Sequence, residues 1–385
     1  MVCSIIADTG RAGLRPRLVV VWTSFGPYHL ARIQSLTAHF DVHAVELAGS
    51  QRLYRWAENK SRVGWSIHTL REGAWEDQNS LAVSARLWRK LNELRPDILL
   101  VPGYANAPAL SAALWGKAHA SRTLLMSESN QDDYRRKWWV ELGKRALVTC
   151  LFAGAVVGGK RAKQYMASLG LAGTNVATGY DVVDNHFFSE RTVLIRTSGS
   201  EREGALTAPY FLYVGRLAPE KNIYALIQAF DSYRKAGGAW NLLLVGDGPL
   251  AADLRNHAAG LACAGAICFA GHKTAAELAR YYAYATCFVL PSRREPWGLV
   301  VNEAMAAGLP VIVSSRCGCA DDLVEPGANG FLFDPENPDA LGRCMQEISA
   351  MPASALGSMG ARSWEIIAEY SPTYFASEIY RISAR

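Results

Sequence analysis

Two glutamates separated by seven residues, with a glycine between them, are the residues of this chain best suited to bind a ligand. Glu295 follows an apolar, strand-like run, and Glu303 lies inside a predicted helix that begins near Gly298. Two carboxylates would repel a phosphate, so we expect them to accept hydrogen bonds from hydroxyl groups. The backbone amides of Gly298, Leu299 and Val300 would bind the phosphate instead. The pattern predicts a ligand with hydroxyls at both ends and phosphates between them, as in a nucleotide-sugar.

Two cations lie in a single predicted turn earlier in the chain. Arg216 and Lys221 follow the apolar run that begins at Tyr210, and ligands of doubly wound sheets bind at the carboxyl ends of strands. A guanidinium fork and an ammonium point charge together suit a diphosphate, although both could also be solvated loop charges. The sequence has no Asp-x-Asp motif. We therefore expect these cations and a helix N-terminus, rather than a metal ion, to stabilise the charge of a leaving group.

Together, the two segments resemble the donor site of the retaining glycosyltransferases of family 4. These enzymes have the GT-B fold and carry a Glu, seven residues and a second Glu. The resemblance implies that Glu295 contacts hydroxyls of the donor sugar and that Glu303 binds the ribose. It also implies that Arg216, Lys221 and the amides of residues 298–300 hold the diphosphate.

The same resemblance assigns two further residues to the donor site. His272 follows Gly271 in a loop similar to the one beside the nucleobase, and Trp297 precedes the glycine at the start of the helix. Many relatives have two glycines where this chain has Gly318 and Cys319, a mild departure from the family pattern. The resemblance covers the second half of the chain well and the first half only in outline.

The first half of the chain offers fewer candidate residues. Gly26, followed by His29, lies after the first predicted strand, where the family contacts donor phosphates or acceptor through a glycine. An ordinary turn at Gly26 and a polar helix-start residue at His29 are the alternatives. After the fourth predicted strand, many relatives have a histidine near the reacting carbon, whereas this chain has Glu128. Glu128 could position the acceptor, act as a base, or be an ordinary loop carboxylate, so the catalytic candidates are Glu295, Glu128 and His29.

Basic and aromatic residues are interleaved over residues 134–145, which include Trp138 and Trp139. A surface helix of this composition suits an anionic membrane surface. The alternative is a solvated charged face whose aromatic side chains lie in the core. Interleaved basic and aromatic residues also occur in nucleic-acid binding, but the sequence contains no recognisable nucleic-acid module, so we expect no such partner.

Short apolar runs alternate with helical stretches along the whole chain, which predicts an α/β fold with parallel, doubly wound sheets. The segments 148–152 and 155–157 are compatible with either a strand or a buried helix. The resemblance implies a GT-B architecture, with two Rossmann-like domains facing a central cleft. The runs interpreted as strands are 18–22, 42–47, 97–101, 123–126, 210–216, 287–290 and the run that begins after Pro310, and strands with their following turns are 241–249 and 267–273.

A polar, aperiodic stretch over residues 192–209 predicts the linker between the two domains. We accordingly expect an acceptor-binding domain over 1–195 and a donor-binding domain over 196–365. Residues 366–385, interrupted at Ser371-Pro372, would form a helix that crosses back to the first domain, as in the relatives. Residues 1–16 are predicted to form a loose tail.

Composition and charge exclude several classes of protein. Half of the 385 residues are hydrophobic and the mean hydropathy is near zero, so the chain is globular, without a predicted signal peptide or membrane-spanning segment. The eight cysteines form no Cys-x-x-Cys pattern, and free thiols in a reducing compartment are expected. Residues 1–195 hold 24 Lys+Arg against 16 Asp+Glu, which favours an anionic partner for the first domain.

The resemblance implies retaining transfer of a sugar from a nucleotide-diphosphate sugar to an acceptor hydroxyl, without cofactor or metal. UDP is the commonest nucleotide in the family. The acceptor would be a glycan, a lipid-linked molecule or a small molecule, in polysaccharide, glycolipid or glycoconjugate synthesis. We expect a cytoplasmic protein, in peripheral contact with the inner face of the membrane. The alternatives are a GT-B epimerase or phosphorylase and a non-catalytic sugar-nucleotide binding protein. No Gly-x-Gly-x-x-Gly follows the first strand, which disfavours a dinucleotide oxidoreductase.

Overall fold

The structure, a computed structural model, describes residues 15–52, 65–131, 136–199, 204–337 and 339–384. The described residues form two compact units, the first ending at Val183 and resuming at Ser371, the second running from Asp184 to Tyr370. Three predicted features fall partly outside these residues: most of the tail 1–16, the start of the segment 134–145, and residues 200–203 of the linker. Among the residues described, no helix combines the length and apolarity needed to cross a bilayer.

The described residues of the first unit form a seven-stranded parallel sheet. Most of its strands are continuous apolar runs that are buried on both faces, as expected where helices cover a parallel sheet. The strands are β1 (Arg17–Trp22), β2 (Asp41–Glu46), β3 (Ser66–Thr69), β4 (Ile98–Pro102), β5 (Arg122–Ser127), β6 (Gly154–Val157) and β7 (Val176–Ala177). Their order in the sheet is β3-β2-β1-β4-β5-β6-β7.

Helices cover the sheet of the first unit, and their starts follow the capping rules. The side chain of Asn79 accepts from two first-turn amides of one helix, and Asn106 caps the next in the same manner. The helices of this unit are α1 (Pro27–Leu36), α2 (Ser80–Leu94), α3 (Ala107–Ala118), α4 (Trp138–Leu151), α5 (Lys160–Ser168) and, from the end of the chain, α14 (Pro372–Ser383).

The second unit repeats the architecture with a six-stranded parallel sheet, in the order β10-β9-β8-β11-β12-β13. Its strands are β8 (Tyr210–Val214), β9 (Asn241–Val245), β10 (Ile267–Gly271), β11 (Cys287–Leu290), β12 (Val311–Ser314) and β13 (Gly330–Phe333). Its helices are α6 (Asn185–Ser198), α7 (Ile223–Lys235), α8 (Ala251–Ala259), α9 (Ala275–Tyr284), α10 (Leu299–Ala306), α11 (Ala320–Leu323), α12 (Ala340–Ser349) and α13 (Ala353–Ala368).

Three strands of the structure, β3, β7 and β13, are absent from the sequence interpretation. The edge strand β3 was missed, because Ser66-Ile67-His68-Thr69 is short and only partly buried, so it lacks the apolar run that marks the other strands. Of the two segments left open between strand and buried helix, 148–152 is the end of α4 with its C-cap Phe152, and 155–157 belongs to β6. Because of the additional strand, Glu128 follows the fifth strand of the first unit rather than the fourth.

The division between the units also differs from the predicted one. The linker was expected over 192–209 and the boundary after residue 195, but the start of this stretch is the end of α6, and α6 belongs wholly to the second unit. Arg196 is the physical reason: its guanidinium donates to the carbonyl of Ala283 at 2.7 Å and to that of Ala307 at 2.8 Å. These carbonyls lie at the C-terminal ends of α9 and α10, where a cation is favoured.

The second predicted boundary, after residue 365, falls inside α13, and the division lies between Tyr370 and Ser371 instead. Helix α14, which follows, packs in the first unit. Its Tyr374 hydroxyl bonds to Thr178 Oγ1 at 3.0 Å, and Arg122 Nε donates to the carbonyl of Ile382 at 2.9 Å.

Candidate active site

Loops at one edge of the second sheet carry most of the predicted donor residues. Arg216 and Lys221 follow β8, His272 follows β10, and Glu295 follows β11. Because all strands of this sheet are parallel, the three loops emerge at their common carboxyl edge. Since β8 and β11 are neighbours in the sheet, residues as far apart in sequence as 216 and 295 can contact one ligand.

Glu295 and Lys221 form a close ion pair. Lys221 Nζ donates to Glu295 Oε2, and Ser292 Oγ donates to the same oxygen at 3.1 Å. Both charged side chains are largely buried, Lys221 being 18% and Glu295 12% exposed. Removing either partner would leave the other charge poorly solvated, so the two residues act as one unit. The ammonium lies beside the carboxylate, where one ligand could meet both.

Arg216 is held by a residue that the sequence interpretation missed. Its guanidinium donates to Glu220, four residues later, and the carbonyl of Glu220 accepts from the amide of Arg293 at 2.9 Å. Burial acts to raise the pKa of Glu220, but hydrogen bonds from its own backbone and from Arg216 outweigh burial and lower that pKa. Glu220 is therefore ionised, and it joins the loop after β8 to the loop after β11. The i, i+4 spacing of opposite charges was the available sequence signal.

Glu303 is fully buried in α10 and accepts a hydrogen bond from a second residue that the sequence did not reveal. The hydroxyl of Tyr282, on α9, donates to Glu303 Oε2 at 2.6 Å. Tyr282 is itself entirely inaccessible to solvent. The tyrosine therefore fixes the orientation of the carboxylate, which is consistent with a side chain that must present an oxygen to a ligand in one direction.

Trp297, which the resemblance assigns to the donor site, is held by a contact with the helix that follows it. Its indole is buried and donates to Asn302 Oδ1 at 2.9 Å. The ring thus anchors the segment that leads into α10, which includes Gly298. His272, by contrast, is exposed in the loop after β10.

Close backbone packing sets the N-terminus of α10. Gly298 has φ +107°, a left-handed conformation that favours glycine, and the first-turn amides of Leu299 and Val300 have no partner within the helix itself. The loop after β12 packs directly on this segment, since the amide of Gly318 donates to the carbonyl of Glu295 at 2.9 Å. A Cβ at Gly318 would lie 1.7 Å from the carbonyl oxygen of Pro296, so only glycine fits there.

In the first unit, His29 has the helix-start role that was the alternative to catalysis. Its Nδ1 accepts a hydrogen bond from the amide of Gly26 at 3.0 Å, and its ring packs against Trp22 with centroids 4.8 Å apart. Burial, and then the charge of Arg32, lower the pKa of His29 to about 3. The imidazole is therefore neutral, with its proton on Nε2, over the physiological pH range.

We expect His29 to destabilise the protein in mild acid. The folded protein holds His29 at a pKa below the ordinary value of 6.5, so the unfolded chain binds more protons between the two values. Stability from this residue is complete above about pH 6.5 and is lost as the pH falls, by at most about 1.4 kcal/mol per pH unit. Urea unfolding of the wild type and of His29→Asn, which keeps an acceptor for the Gly26 amide, measures the difference. Equal slopes of unfolding free energy against pH in the two proteins would contradict the assignment.

Glu46 also holds the loop around Gly26, and the sequence interpretation missed it. This fully buried carboxylate, at the end of β2, accepts from the amide of Phe25 at 3.2 Å and from the hydroxyl of Thr69 at 2.7 Å. A carboxylate directly after the apolar pair Ala44 and Val45, at the end of the strand, was the available sequence signal. Its hydrogen bond to the Phe25 amide anchors the loop after β1.

Glu128 lies exposed after β5, at the carboxyl edge of the first sheet. It is close enough to act on Tyr180, whose pKa is raised by burial above all and further by the Glu128 charge. Tyr180 in turn accepts from Trp22 Nε1 at 3.0 Å. Across the described part of the chain, no group of three or more His, Cys, Asp and Glu side chains has an arrangement that could hold a metal ion.

Comparison with known protein sequences finds similarity chiefly in the second half of the chain. Residues 198–358 match the family model for glycosyl transferases group 1. The sulfoquinovosyl transferase SQD2 of Arabidopsis thaliana is 30% identical over 273 residues, which cover 66% of this chain and 50% of the relative. The GDP-mannose-dependent alpha-mannosyltransferase of Mycobacterium tuberculosis is 35% identical over 166 residues, or 42% of this chain and 41% of the relative. The chain thus spans half or less of the length of these relatives.

Comparison with solved structures establishes the fold of the whole chain. The structure of HepE from Anabaena in complex with UDP matches with a TM-score of 0.72 at 16% identity, over 94% of this chain and 98% of that one. An identity this low shows the fold alone. The predicted α/β fold with two Rossmann-like domains of the GT-B type is confirmed, as is the resemblance to GT-B glycosyltransferases.

Proposed function

We propose that this chain, whose residues 198–358 belong to the group 1 glycosyltransferases, transfers a sugar from a nucleotide-diphosphate sugar to a hydroxyl group of an acceptor. The observation that carries the proposal is the arrangement of Lys221, Glu295 and Glu303 around the carboxyl edge of the second sheet. That edge offers positive charge for phosphates and oriented carboxylates for hydroxyls, which are the two needs of a nucleotide-sugar.

Each part of the donor has a proposed partner in the second unit. The sugar hydroxyls would donate to Glu295 and the ribose hydroxyls to Glu303. Arg216, Lys221 and the first amides of α10 would bind the diphosphate, because cationic side chains and a helix N-terminus both favour anions. The nucleobase would lie beside the exposed His272. We propose UDP as the nucleotide, supported by the bound UDP of the HepE structure; the mannosyltransferase relative, named for GDP-mannose, makes GDP the competitor.

We propose that the reaction is driven by stabilising the leaving group and that it retains the anomeric configuration. The bond between the anomeric carbon and the diphosphate breaks, and its electron pair stays on the diphosphate. Lys221, Arg216 and the N-terminus of α10 would offset the charge that develops there, without the need for a metal ion. The acceptor oxygen bonds to the anomeric carbon, and Glu128 is the proposed base for the acceptor proton. His29 is a positioning residue for the Gly26 loop in this scheme, because its imidazole stays neutral.

The acceptor is proposed to bind the first unit and to be a glycan, a lipid-linked molecule or a small molecule, as in the synthesis of polysaccharides, glycolipids or glycoconjugates. The net positive charge of residues 1–195 of the protein favours an acceptor with anionic groups.

The donor is identified first by thermal-shift measurement of the full chain with UDP, GDP, ADP, TDP and NAD. We expect one nucleoside diphosphate to raise Tm and NAD to leave it unchanged, since ligands that bind only the folded state stabilise it. The corresponding nucleotide-sugar is then incubated with candidate acceptors, with and without a chelator, and the anomer of the product is read by NMR. A protein that no diphosphate stabilises would contradict the donor site. Turnover of the donor without an acceptor would indicate an epimerase or a phosphorylase, and binding without turnover a non-catalytic protein.

A further inference from the structure

Helix α4 presents large apolar side chains to solvent. Trp138 is 73% exposed, Trp139 56% and Leu142 61%, and among the helix residues only Val148 is buried. The alternative drawn from the sequence, in which the aromatic residues of this segment lie in the core, is therefore wrong for both tryptophans. Single exposed apolar residues are ordinary, but neighbouring ones on one helix mark an interaction surface.

The exposed residues form a stripe along the helix. Trp139, Gly143, Ala146 and Cys150 follow one another at i, i+4, i+7 and i+11, and all four are exposed. Residues with these spacings lie on one face of an α-helix, and Leu142 flanks that face. Apolar residues therefore lie on the outer side of α4 as well as on its core-facing side, where Leu147, Val148 and Leu151 pack.

Basic residues are frequent on α4 and on α5, the helix whose Tyr165 contacts it. Residues 136–168 contain seven Lys and Arg against a single acidic residue, Glu141. That carboxylate is already engaged, because it accepts from Lys144 Nζ at 2.8 Å and from the hydroxyl of Tyr165 at 2.7 Å. The surface that an approaching partner meets is therefore strongly positive as well as apolar.

The start of α4 combines the two properties. Lys137 Nζ lies 5.7 Å from the centre of the Trp139 ring, and the Trp138 and Trp139 rings meet edge to face with centroids 5.8 Å apart. Indoles beside basic residues suit the boundary between lipid headgroups and acyl chains. The N-terminus of a helix adds partial positive charge at the same point.

We propose that the exposed face of α4, together with the basic residues of α5, docks on the surface of an anionic lipid bilayer. Positive charge and interfacial indoles match that surface, whereas a second copy of this chain would bring like charge against like charge. The inference goes beyond the proposed transfer reaction and does not depend on it, because the surface lies outside the donor-binding residues of the second unit.

The test uses the full chain with vesicles of phosphatidylcholine, alone or containing phosphatidylglycerol, and measures co-sedimentation. We expect binding only to the anionic vesicles, lost when salt is raised. The double variant W138S/W139S should bind at least tenfold more weakly, and Lys137→Ala and Arg145→Ala about fivefold more weakly each. These side chains are exposed, so the variants should fold, and an unchanged Tm confirms it.

Trp364→Ser is the matched control, because this tryptophan is 53% exposed on α13, in the second unit. It should bind vesicles like the wild type. Equal binding to neutral vesicles, or wild-type binding by W138S/W139S, would overturn the proposal. If the wild type formed a dimer and W138S/W139S were a monomer, the proposal would be overturned, and the occupant of this surface would be a second copy of the chain. The thermal shift given by the donor nucleotide should be the same in all these variants, which keeps this test separate from that of the transfer reaction.

Discussion

Replacing Lys221 with alanine is expected to lower kcat for sugar transfer roughly 10²–10³-fold, the effect of removing one group that stabilises a developing charge in an enclosed site. Lys221 would face the charge that appears on the leaving diphosphate, and its pairing with Glu295 holds the ammonium in place before the donor arrives. An interaction of this kind is strongest in the transition state, so kcat should fall more than donor affinity. Steady-state kinetics with the donor identified by thermal shift give both parameters.

Lys235→Ala is the matched control for Lys221→Ala. Lys235 also pairs with a carboxylate, Asp231, at 2.6 Å, but it is 69% exposed on α7. Its removal should leave kcat unchanged. The variant Lys221→Ala also leaves Glu295 without its cation, and an unpaired buried carboxylate destabilises the folded state. The double variant K221M/E295Q removes both charges, so comparing its Tm with that of Lys221→Ala shows whether the loss of kcat comes from impaired folding. A Lys221→Ala protein with wild-type kcat would show that leaving-group charge is stabilised elsewhere.

Replacing Glu303 with glutamine is expected to weaken binding of the nucleoside diphosphate roughly 10²-fold or more, because hydrogen bonds to a charged acceptor contribute about 1.5–3 kcal/mol each. Glutamine is a sharper test than alanine here. Its carbonyl oxygen can still accept from Tyr282, whereas alanine would leave a buried hydroxyl without this acceptor and so destabilise the core. Isothermal titration of both proteins with the diphosphate gives the ratio of affinities.

The control for Glu303→Gln is Tyr282→Phe, which removes the hydroxyl but leaves the carboxylate. We expect this variant to lose stability while keeping affinity within a few fold of the wild type. If Glu303→Gln bound the diphosphate as tightly as the wild type, the ribose would have to be recognised by another residue. If Tyr282→Phe lost as much affinity as Glu303→Gln, orientation of the carboxylate rather than its charge would be the decisive property.

The sequence predicted those parts of the site whose signals are local. Continuous apolar runs marked the central strands, and residues directly after them, such as Arg216 and Glu295, had to reach the carboxyl edge of a parallel sheet. The start of α10 was predictable in the same manner, because Gly298 directly precedes a helical pattern.

Contacts between distant residues could not be predicted. Lys221 and Glu295 are 74 positions apart, and no periodicity shows that one would pair with the other. Tyr282 lies in the last turn of α9 and has the pattern of any core aromatic residue, yet it orients Glu303. Arg196 gave the same difficulty, since its polar surroundings suggested a linker whereas its partners lie on two other helices. Trp138 and Trp139 are exposed because their side of α4 does not face the core, and a helical pattern in the sequence does not specify which side faces the core.

The position of α6 and α14 has a consequence for recombining this protein with its relatives. A chimera that exchanges the first unit needs two junctions, between Val183 and Asp184 and between Tyr370 and Ser371, because α14 must travel with that unit. A single splice after residue 195 would separate Arg196 from most of its own helix and give α14 a foreign partner. The second unit, by contrast, is one uninterrupted segment of chain, so donor preference could be exchanged between relatives as a single cassette.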